Sequence, residues 1–145
     1  MATADVAPFL PNQPKQGIVN LRFEECRFQR KAVLLLHEFL KSKSIIETIG
    51  LVGVSFEDKI DFKKITEGIQ ISPKINKVTF KDMNFDEELY GKSIGRALTD
   101  SRTIRELDIS NIIFEHPKCF YDLCSAILNE RCRLNILKLR SIHLT

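Results

Sequence analysis

Residues 104–114 read IRELDISNIIF, and apolar side chains stand at the first, fourth, sixth, ninth and eleventh places of this segment. The same spacing occurs in four further segments, which begin at Ile18, Ile46, Ile75 and Leu134, so that successive segments start 28 to 30 residues apart. The alternation between the fourth and sixth places is typical of a half-buried strand. A short strand repeated at this period indicates stacked units that bury their apolar faces only against one another.

Between these segments the apolar spacing changes from two to three or four, which indicates a helix in each unit. The apolar residues of the four predicted helices form these stripes: Val33, Leu36, Phe39 and Leu40; Phe62, Ile65 and Ile69; Ile94 and Leu98; Phe120, Leu123 and Ile127. Gly68, Ala97 and Ala126 stand at equivalent places in three of the helices. We expect these small residues to let neighbouring helices approach closely.

The long period, the helix in each unit and the apolar eleventh place resemble the leucine-rich repeats of the ribonuclease-inhibitor-like subfamily over residues 18–145. The eleventh place holds Phe28, Phe56, Phe85, Phe114 and Leu144. The chain departs from the family at the ninth place, where an asparagine ladder is usual and where Cys26, Val54, Met83, Ile112 and Ile142 stand instead. The resemblance implies an α/β solenoid of about four and a half repeats, curved, with a parallel sheet on the concave side and helices on the convex side.

The chain divides into an arm and an array. Residues 1–16 contain three prolines and no periodic apolar pattern, which is typical of a flexible segment. Phe9 and Leu10 would allow this arm to cap the first unit in part, since terminal units of an array need covering. Residues 17–145 form the predicted repeat array, with units that start near residues 18, 46, 75, 104 and 134.

Composition favours a soluble cytoplasmic protein. Apolar residues make up 43% of the chain, and the net charge of +3 results from 22 basic and 19 acidic residues that are interspersed. This charge gives no argument for nucleic acid or for an anionic membrane. No apolar run reaches the length of a membrane span, and no signal peptide opens the chain.

The four cysteines lack the paired spacing of a zinc site. Cys26 stands at the ninth place of the repeat and Cys124 lies beside Leu123 in the fourth helix, so both should be packed, whereas Cys119 and Cys132 lie nearer helix ends and should be exposed. Reduced thiols in a reducing compartment are the simplest interpretation. We therefore expect no metal and no cofactor.

The sequence also offers no catalytic constellation. His37, His116 and His143 lie in different units, and none is near a candidate nucleophile. Phosphate-binding loops and dinucleotide fingerprints are missing from the sequence. Acidic residues on the predicted sheet are more often partners of basic residues than general acids, so we expect a protein that is not an enzyme.

The first candidate binding surface is the concave face, where side chains between the buried strand positions would lie. The candidate residues are Arg22, Glu24, Lys77, Thr79, Lys81, Arg105, Glu106, Asp108, Lys138 and Arg140. Their charges change from acidic at the amino-terminal end to basic at the carboxyl-terminal end, which would suit a docking surface. A plain solvated sheet face is the alternative, because solubility alone requires exposed charges.

The second candidate surface is the last strand, for which the sequence supplies no covering helix. Its candidate docking residues are Leu134, Ile136, Leu139, Ile142 and Leu144. An edge strand with exposed apolar side chains is normally covered or paired. The alternative is a simple terminal strand that its basic residues keep soluble.

Members of the resembled family act mainly by binding other proteins, and several belong to cytoskeletal or ciliary assemblies. The sequence thus predicts a non-catalytic scaffold, an accessory subunit that docks through its uncovered last strand to a protein partner or to a second copy. The alternative is a regulatory adaptor or inhibitor that holds one globular partner in its concave face.

Overall fold

A computed structural model of the chain describes residues 17–42 and 45–145 in full and residues 2–4 as backbone. The strands are β1 (Ala2–Ala4), β2 (Asn20–Glu24), β3 (Arg27–Phe28), β4 (Thr48–Val52), β5 (Ser55–Phe56), β6 (Lys77–Phe85), β7 (Glu106–Phe114) and β8 (Ile136–Leu144). The helices are α1 (Arg30–Lys41), α2 (Asp61–Ile71), α3 (Glu88–Asp100) and α4 (Pro117–Ile127). Strands and helices therefore alternate along the described chain, and the predicted α/β class is confirmed.

The main sheet has the strand order β1-β2-β4-β6-β7-β8. Its last five strands are parallel, whereas β1 pairs antiparallel with β2. A second, two-stranded sheet joins β3 to β5. Residues at the same place of each sequence segment lie side by side, as in the row Leu21, Ile49, Val78, Leu107 and Leu137.

One face of the main sheet and the inner sides of the four helices form a single apolar core. The rows at the fourth, sixth, ninth and eleventh places are buried or nearly so from β2 to β7. Phe62, Phe80, Phe85 and Phe114 are fully buried at the centre of this core. Their rings lie in mutual contact with centroid separations of 5.4 to 6.2 Å, so aromatic packing links the middle units.

Consecutive helices pack against each other, and small residues allow the close approach. A Cβ atom at Gly68 would lie 3.2 Å from a Leu40 methyl group and 3.3 Å from the Cα atom of His37. The inclusion of Phe39 in the buried stripe of α1 is wrong, because this ring is 42% exposed. Phe39 occupies in α1 the place that Gly68 occupies in α2, on the side that faces the preceding helix, and no helix precedes α1 among the described residues.

Each unit turns sharply at its eighth place, where the backbone is left-handed. The residues there are Glu25, Gly53, Asp82, Asn111 and Ser141, with φ between 51° and 61°. Glycine, asparagine and aspartate tolerate this conformation best. The Nδ2 group of Asn111 also donates to Oδ1 of Asp82 at 2.8 Å, so the turns of two adjacent units are joined.

The described part of the arm forms β1 on the outer edge of β2. Phe9 and Leu10, the residues proposed to cap the first unit, lie outside the described residues. Within the described ranges, no helix combines the length and the apolar character that a bilayer crossing requires.

All four cysteines are free thiols. The prediction that Cys119 is exposed is wrong, because its side chain is fully buried at the contact between α3 and α4. Burial raises the pKa of the Cys119 thiol to about 11. Cys26, Cys124 and Cys132 are half-buried, and burial also raises the pKa of Cys124.

Candidate interaction surfaces

The residues predicted for the concave face stand together on the side of the main sheet away from the helices, which we call the polar sheet face. Three rows cross it, and the middle row runs Arg22, Gly50, Thr79, Asp108 and Lys138. A second row contains Lys77 and, next to it, Glu106. The third row contains Glu24 on β2, Lys81 on β6 and Arg140 on β8. The structure thus brings nine of the ten predicted residues into three adjacent rows.

Arg105, the tenth residue, immediately precedes β7 and lies outside these rows. Its guanidinium group donates to the carbonyl oxygen of Ile104 at 3.3 Å. Its own carbonyl oxygen accepts hydrogen bonds from the backbone N–H groups of Asn135 and Ile136 at 2.8 and 3.1 Å. Arg105 therefore holds the start of β8 in place, whatever else it contacts.

Ion pairs hold most of the charges on the polar sheet face. Glu106 lies 3.2 Å from the Lys77 ammonium group and 3.5 Å from that of Lys138. Arg140 donates to a carboxylate oxygen of the buried Asp108 at 2.8 Å. At the opposite end, Arg22 pairs with Glu24 at 2.5 Å. The charge gradient that the sequence suggests is thus largely neutralised by pairing across and along the strands.

Lys81 differs from these residues because it makes no ion pair within the described part of the chain. Elsewhere on this face, a hollow of about 400 Å³ lies around Gly50 between β2, β4 and β6. Polar groups of Arg22, Thr48, Lys77 and Thr79 line much of this hollow. The polar sheet face therefore offers a partner a shallow depression of mixed polar and apolar lining, together with the ammonium group of Lys81, which has no carboxylate partner among the described residues.

The ion pairs of Glu106 make the stability of the folded chain depend on pH. Burial pushes the pKa of Glu106 upward, but the ammonium groups of Lys77 and Lys138 outweigh it and hold this pKa below its usual value of 4.5. Because the pKa is lowered on folding, the stabilisation is present above that value and is lost as the pH falls through the pKa of the folded state. We expect Glu106→Gln to reduce the loss in melting temperature between about pH 6 and pH 3.

The melting temperature of the parent chain and of Glu106→Gln is measured at both pH values in low salt. Glu57→Gln serves as the control, because Glu57 is exposed and takes part in no ion pair among the described residues. An equal acid-induced shift for the parent chain and Glu106→Gln would contradict the expectation.

The second surface lies at β8, where the side chains on the core side of the main sheet become exposed. Leu107, Ile109 and Phe114 of β7 are fully buried. Their neighbours in β8 are Leu137, Leu139 and Leu144, which are 38%, 41% and 59% exposed. Every residue of β8 except the half-buried Ile142 is exposed. The core-facing side chains are thus fully buried in β7 and widely exposed in the adjacent strand β8.

The predicted docking residues divide between two places. Leu139, Ile142 and Leu144 belong to the core-facing row, and Leu134 packs against the edge of the core just before β8. Ile136 instead stands beside Glu106 on the polar sheet face. Leu137, which is missing from the predicted docking residues, is exposed on the same side of β8; its fourth place in the segment was the signal available.

Half-buried and exposed apolar side chains of helix α4 border this surface. Its buried residues Cys119, Leu123 and Ala126 face the core and α3. A helix repeats every 3.6 residues, so the flank beside these residues carries four other apolar side chains, Phe120, Cys124, Ile127 and Leu128. Phe120, Cys124 and Ile127 are half-buried, and Phe120 and Ile127 also pack against the core. We call this flank together with Leu137, Leu139, Ile142 and Leu144 the C-terminal ledge. Leu128 at the end of α4 is 86% exposed.

The histidines lie apart. His37 is buried between α1 and α2, where its Nδ1 atom lies 2.9 Å from the Lys64 carbonyl oxygen, whereas His116 and His143 are exposed. Among the described residues, no three His, Cys, Asp or Glu side chains are grouped so that they could hold a metal ion.

No protein-family model matches the chain, and a search of curated proteins finds no match either.

Proposed function

We propose that this chain is a non-catalytic protein-interaction scaffold, a leucine-rich repeat solenoid of the ribonuclease-inhibitor-like type that serves as an accessory subunit of a larger assembly. Two observations support this fold type: the five spaced segments, and the order of the parallel strands in the main sheet, which follows their order along the chain. Repeat arrays of this kind present extended surfaces to protein partners. The family resemblance favours a cytoplasmic assembly of the cytoskeletal or ciliary type.

The observation that carries the docking role is the exposure of the C-terminal ledge. Leu137 and Leu139 are roughly two-fifths exposed, although the residues beside them in β7 are fully buried. Contiguous apolar surface of this kind marks an interaction site more often than isolated exposed leucines do. The outer edge of β8 also presents backbone groups that a partner could pair. We infer that a partner protein docks at the ledge.

The runner-up is an adaptor or inhibitor that holds one globular partner on the polar sheet face. The hollow at Gly50 favours this function, and so does the ammonium group of Lys81, which is unpaired within the described part of the chain. The ion pairs at Glu106 and Asp108 weigh against it, since a partner would have to compete with contacts that the face already makes.

Two double variants distinguish docking at the ledge from the adaptor function. The ledge variant carries Leu139→Glu and Leu144→Glu, and the face variant carries Lys81→Glu and Arg105→Glu. Each tagged chain is cross-linked in a cell extract, and light scattering of the purified chain over a wide concentration range shows whether a captured partner is a second copy. We expect the ledge variant to lose the cross-linked complex and the face variant to keep it.

Circular dichroism and melting temperatures verify that both variants fold; Lys81, Leu139 and Leu144 are exposed, whereas Arg105 is half-buried. Loss of the complex in the face variant alone would favour the adaptor function. Complexes of equal yield in both variants and in the parent chain would refute both functions.

A further inference from the structure

The two ends of the parallel sheet differ in what covers them. At one end, Leu21 and Phe23 of β2 are buried, although the only strand described beyond β2 has three residues. At the other end, Leu137 and Leu139 of β8 are exposed, although β8 pairs along its whole length with β7. Strand pairing alone therefore does not bury this row. Helix α1 follows β2, whereas no helix follows β8 among the described residues, so the helix layer decides the burial.

The free flank of α4 has the same geometry as the flanks that already hold helices. In α3, Gly95 faces α4, and a Cβ atom there would lie 3.0 Å from the Cβ atom of Ala126. Cys124 stands one repeat after Gly95, on the flank of α4 that faces away from α3. His37 holds the equivalent place in α1 and approaches Gly68 of α2. Residues at the place of Cys124 in the repeat thus contact the next helix in two interfaces, through His37 between α1 and α2 and through Gly95 between α3 and α4.

From this geometry we propose that the C-terminal ledge binds an amphipathic helix of a partner protein, an inference that rests on the docking role proposed above. The helix would lie against α4 and over the core-facing row of β8, parallel to α4. Its apolar residues would recur at spacings of three and four, as in other complexes in which a helix fills an apolar groove. Opposite Cys124 it would carry glycine or alanine, because Gly68 and Ala126 occupy that place in the interfaces described.

The charge of Arg133 indicates which residues the carboxyl end of the bound helix would carry. In this orientation, its last turn would lie near the loop between α4 and β8, where Arg133 is exposed and makes no ion pair within the described ranges. The carboxyl end of a helix carries partial negative charge, so the guanidinium group would stabilise it. Carboxylate side chains in the last turn would add to this attraction. The expected partner segment is therefore apolar on one side and acidic at its carboxyl end.

A second copy of this chain fits the ledge less well. Its α1 would present the exposed side chains of Leu35 and Phe39, and the Phe39 ring stands where the known interfaces have glycine or alanine. A large ring at this place would keep the two helices apart. In a copy that continues the sheet, β1 would also lie between β8 and β2 and would move α1 away from the ledge. A helix from a different protein meets neither obstacle.

The test uses the full chain and a designed helical peptide of about 16 residues, long enough to form helix when bound. This peptide has leucine and alanine on one side and glutamate elsewhere, with two glutamates in its last turn. A control peptide has the same composition in an order that spreads the leucines around the helix. A third peptide alternates valine and glutamate, as a strand would. Fluorescence anisotropy gives affinities, and amide shifts of the isotope-labelled chain locate the binding site.

We expect the amphipathic peptide to bind and to shift amides of α4 and β8. The pair Leu128→Glu and Leu137→Glu should weaken binding at least tenfold, whereas Leu34→Glu, a matched exposed leucine on α1 at the other end of the array, should leave it unchanged. Arg133→Glu should raise the dissociation constant about threefold, as removal of one helix-end contact predicts.

Equal binding of the control peptide, shifts confined to the polar sheet face, or no binding of the amphipathic peptide would each overturn the helix proposal. Binding of the strand peptide alone at β8 would also overturn it, while the docking role of the ledge would stand. The docking role itself is refuted separately, by complexes in cell extract that survive in the ledge variant.

Discussion

Replacement of Phe85 by alanine is expected to lower the free energy of unfolding by about 3–5 kcal/mol, the range for a fully buried phenylalanine. The ring has no exposed surface. It stacks on Tyr90 at 4.9 Å and meets the edge of Phe114 at 5.4 Å. It also lies 6.0 Å from Phe62. The substitution would therefore open a cavity where the two central units meet, and urea unfolding followed by circular dichroism measures the loss.

The matched change at the end of the array is Leu144→Ala, which stands at the same place of its unit. Leu144 is 59% exposed, so little apolar surface returns to water on unfolding. We expect a loss below about 1 kcal/mol, since most of the transfer term is missing. Losses of similar size for Phe85→Ala and Leu144→Ala would mean that the C-terminal ledge is covered in solution. That result would also remove the main support for the docking role.

The second large effect is expected at Gly91, where α3 and α4 are closest. A Cβ atom at Gly91 would overlap the backbone carbonyl group of Cys119. A backbone atom cannot rotate away as a side chain can, so the two helices would have to separate. We expect Gly91→Val to cost about 1–3 kcal/mol through overpacking, although valine is a somewhat better helix former than the glycine it replaces.

Gly50→Ala is the control for this prediction. A Cβ atom at Gly50 would meet Arg22 and Thr79 at ordinary distances of 3.6 and 3.7 Å. Gly50 is buried, but the added methyl group fits, so alanine there should leave the free energy of unfolding unchanged or raise it by up to about 1 kcal/mol by restricting the unfolded chain. Both variants are unfolded in urea under identical conditions. A Gly91→Val protein as stable as Gly50→Ala would show that the contact between α3 and α4 is looser than described.

Much of the strand arrangement could be predicted from the sequence, because the apolar spacing is itself a consequence of strand geometry. Residues that alternate in a strand point to opposite faces, so the segment 104–114 already separates Leu107 and Ile109 from Glu106 and Asp108. The constant period then places equivalent residues side by side. The strand register of the structure agrees with this placement at every described pair.

The errors arose where a residue depends on a neighbouring unit. Phe39 continues the apolar spacing of α1, yet its side faces a place that no described helix occupies. Cys119 lies in the first turn of α4, where exposure is common, but Gly91 on α3 lets the two helices close over it. Neither fact can be read from the spacing within one unit. The left-handed turns at Glu25 and Ser141 also lacked a signal, since neither residue type favours that backbone.

By itself, the sequence determined the α/β class, the places of the five parallel strands of the main sheet and the side of the sheet on which each of their residues lies. These follow from local periodicity, which acts within one unit. Only the tertiary structure decided that Glu106 is held by Lys77 and Lys138, and that the flank of α4 joins the exposed row of β8 in one ledge. The reason is physical. Ion pairs, close helix contacts and uncovered surfaces depend on distances between units, and those distances exist only after the units have packed.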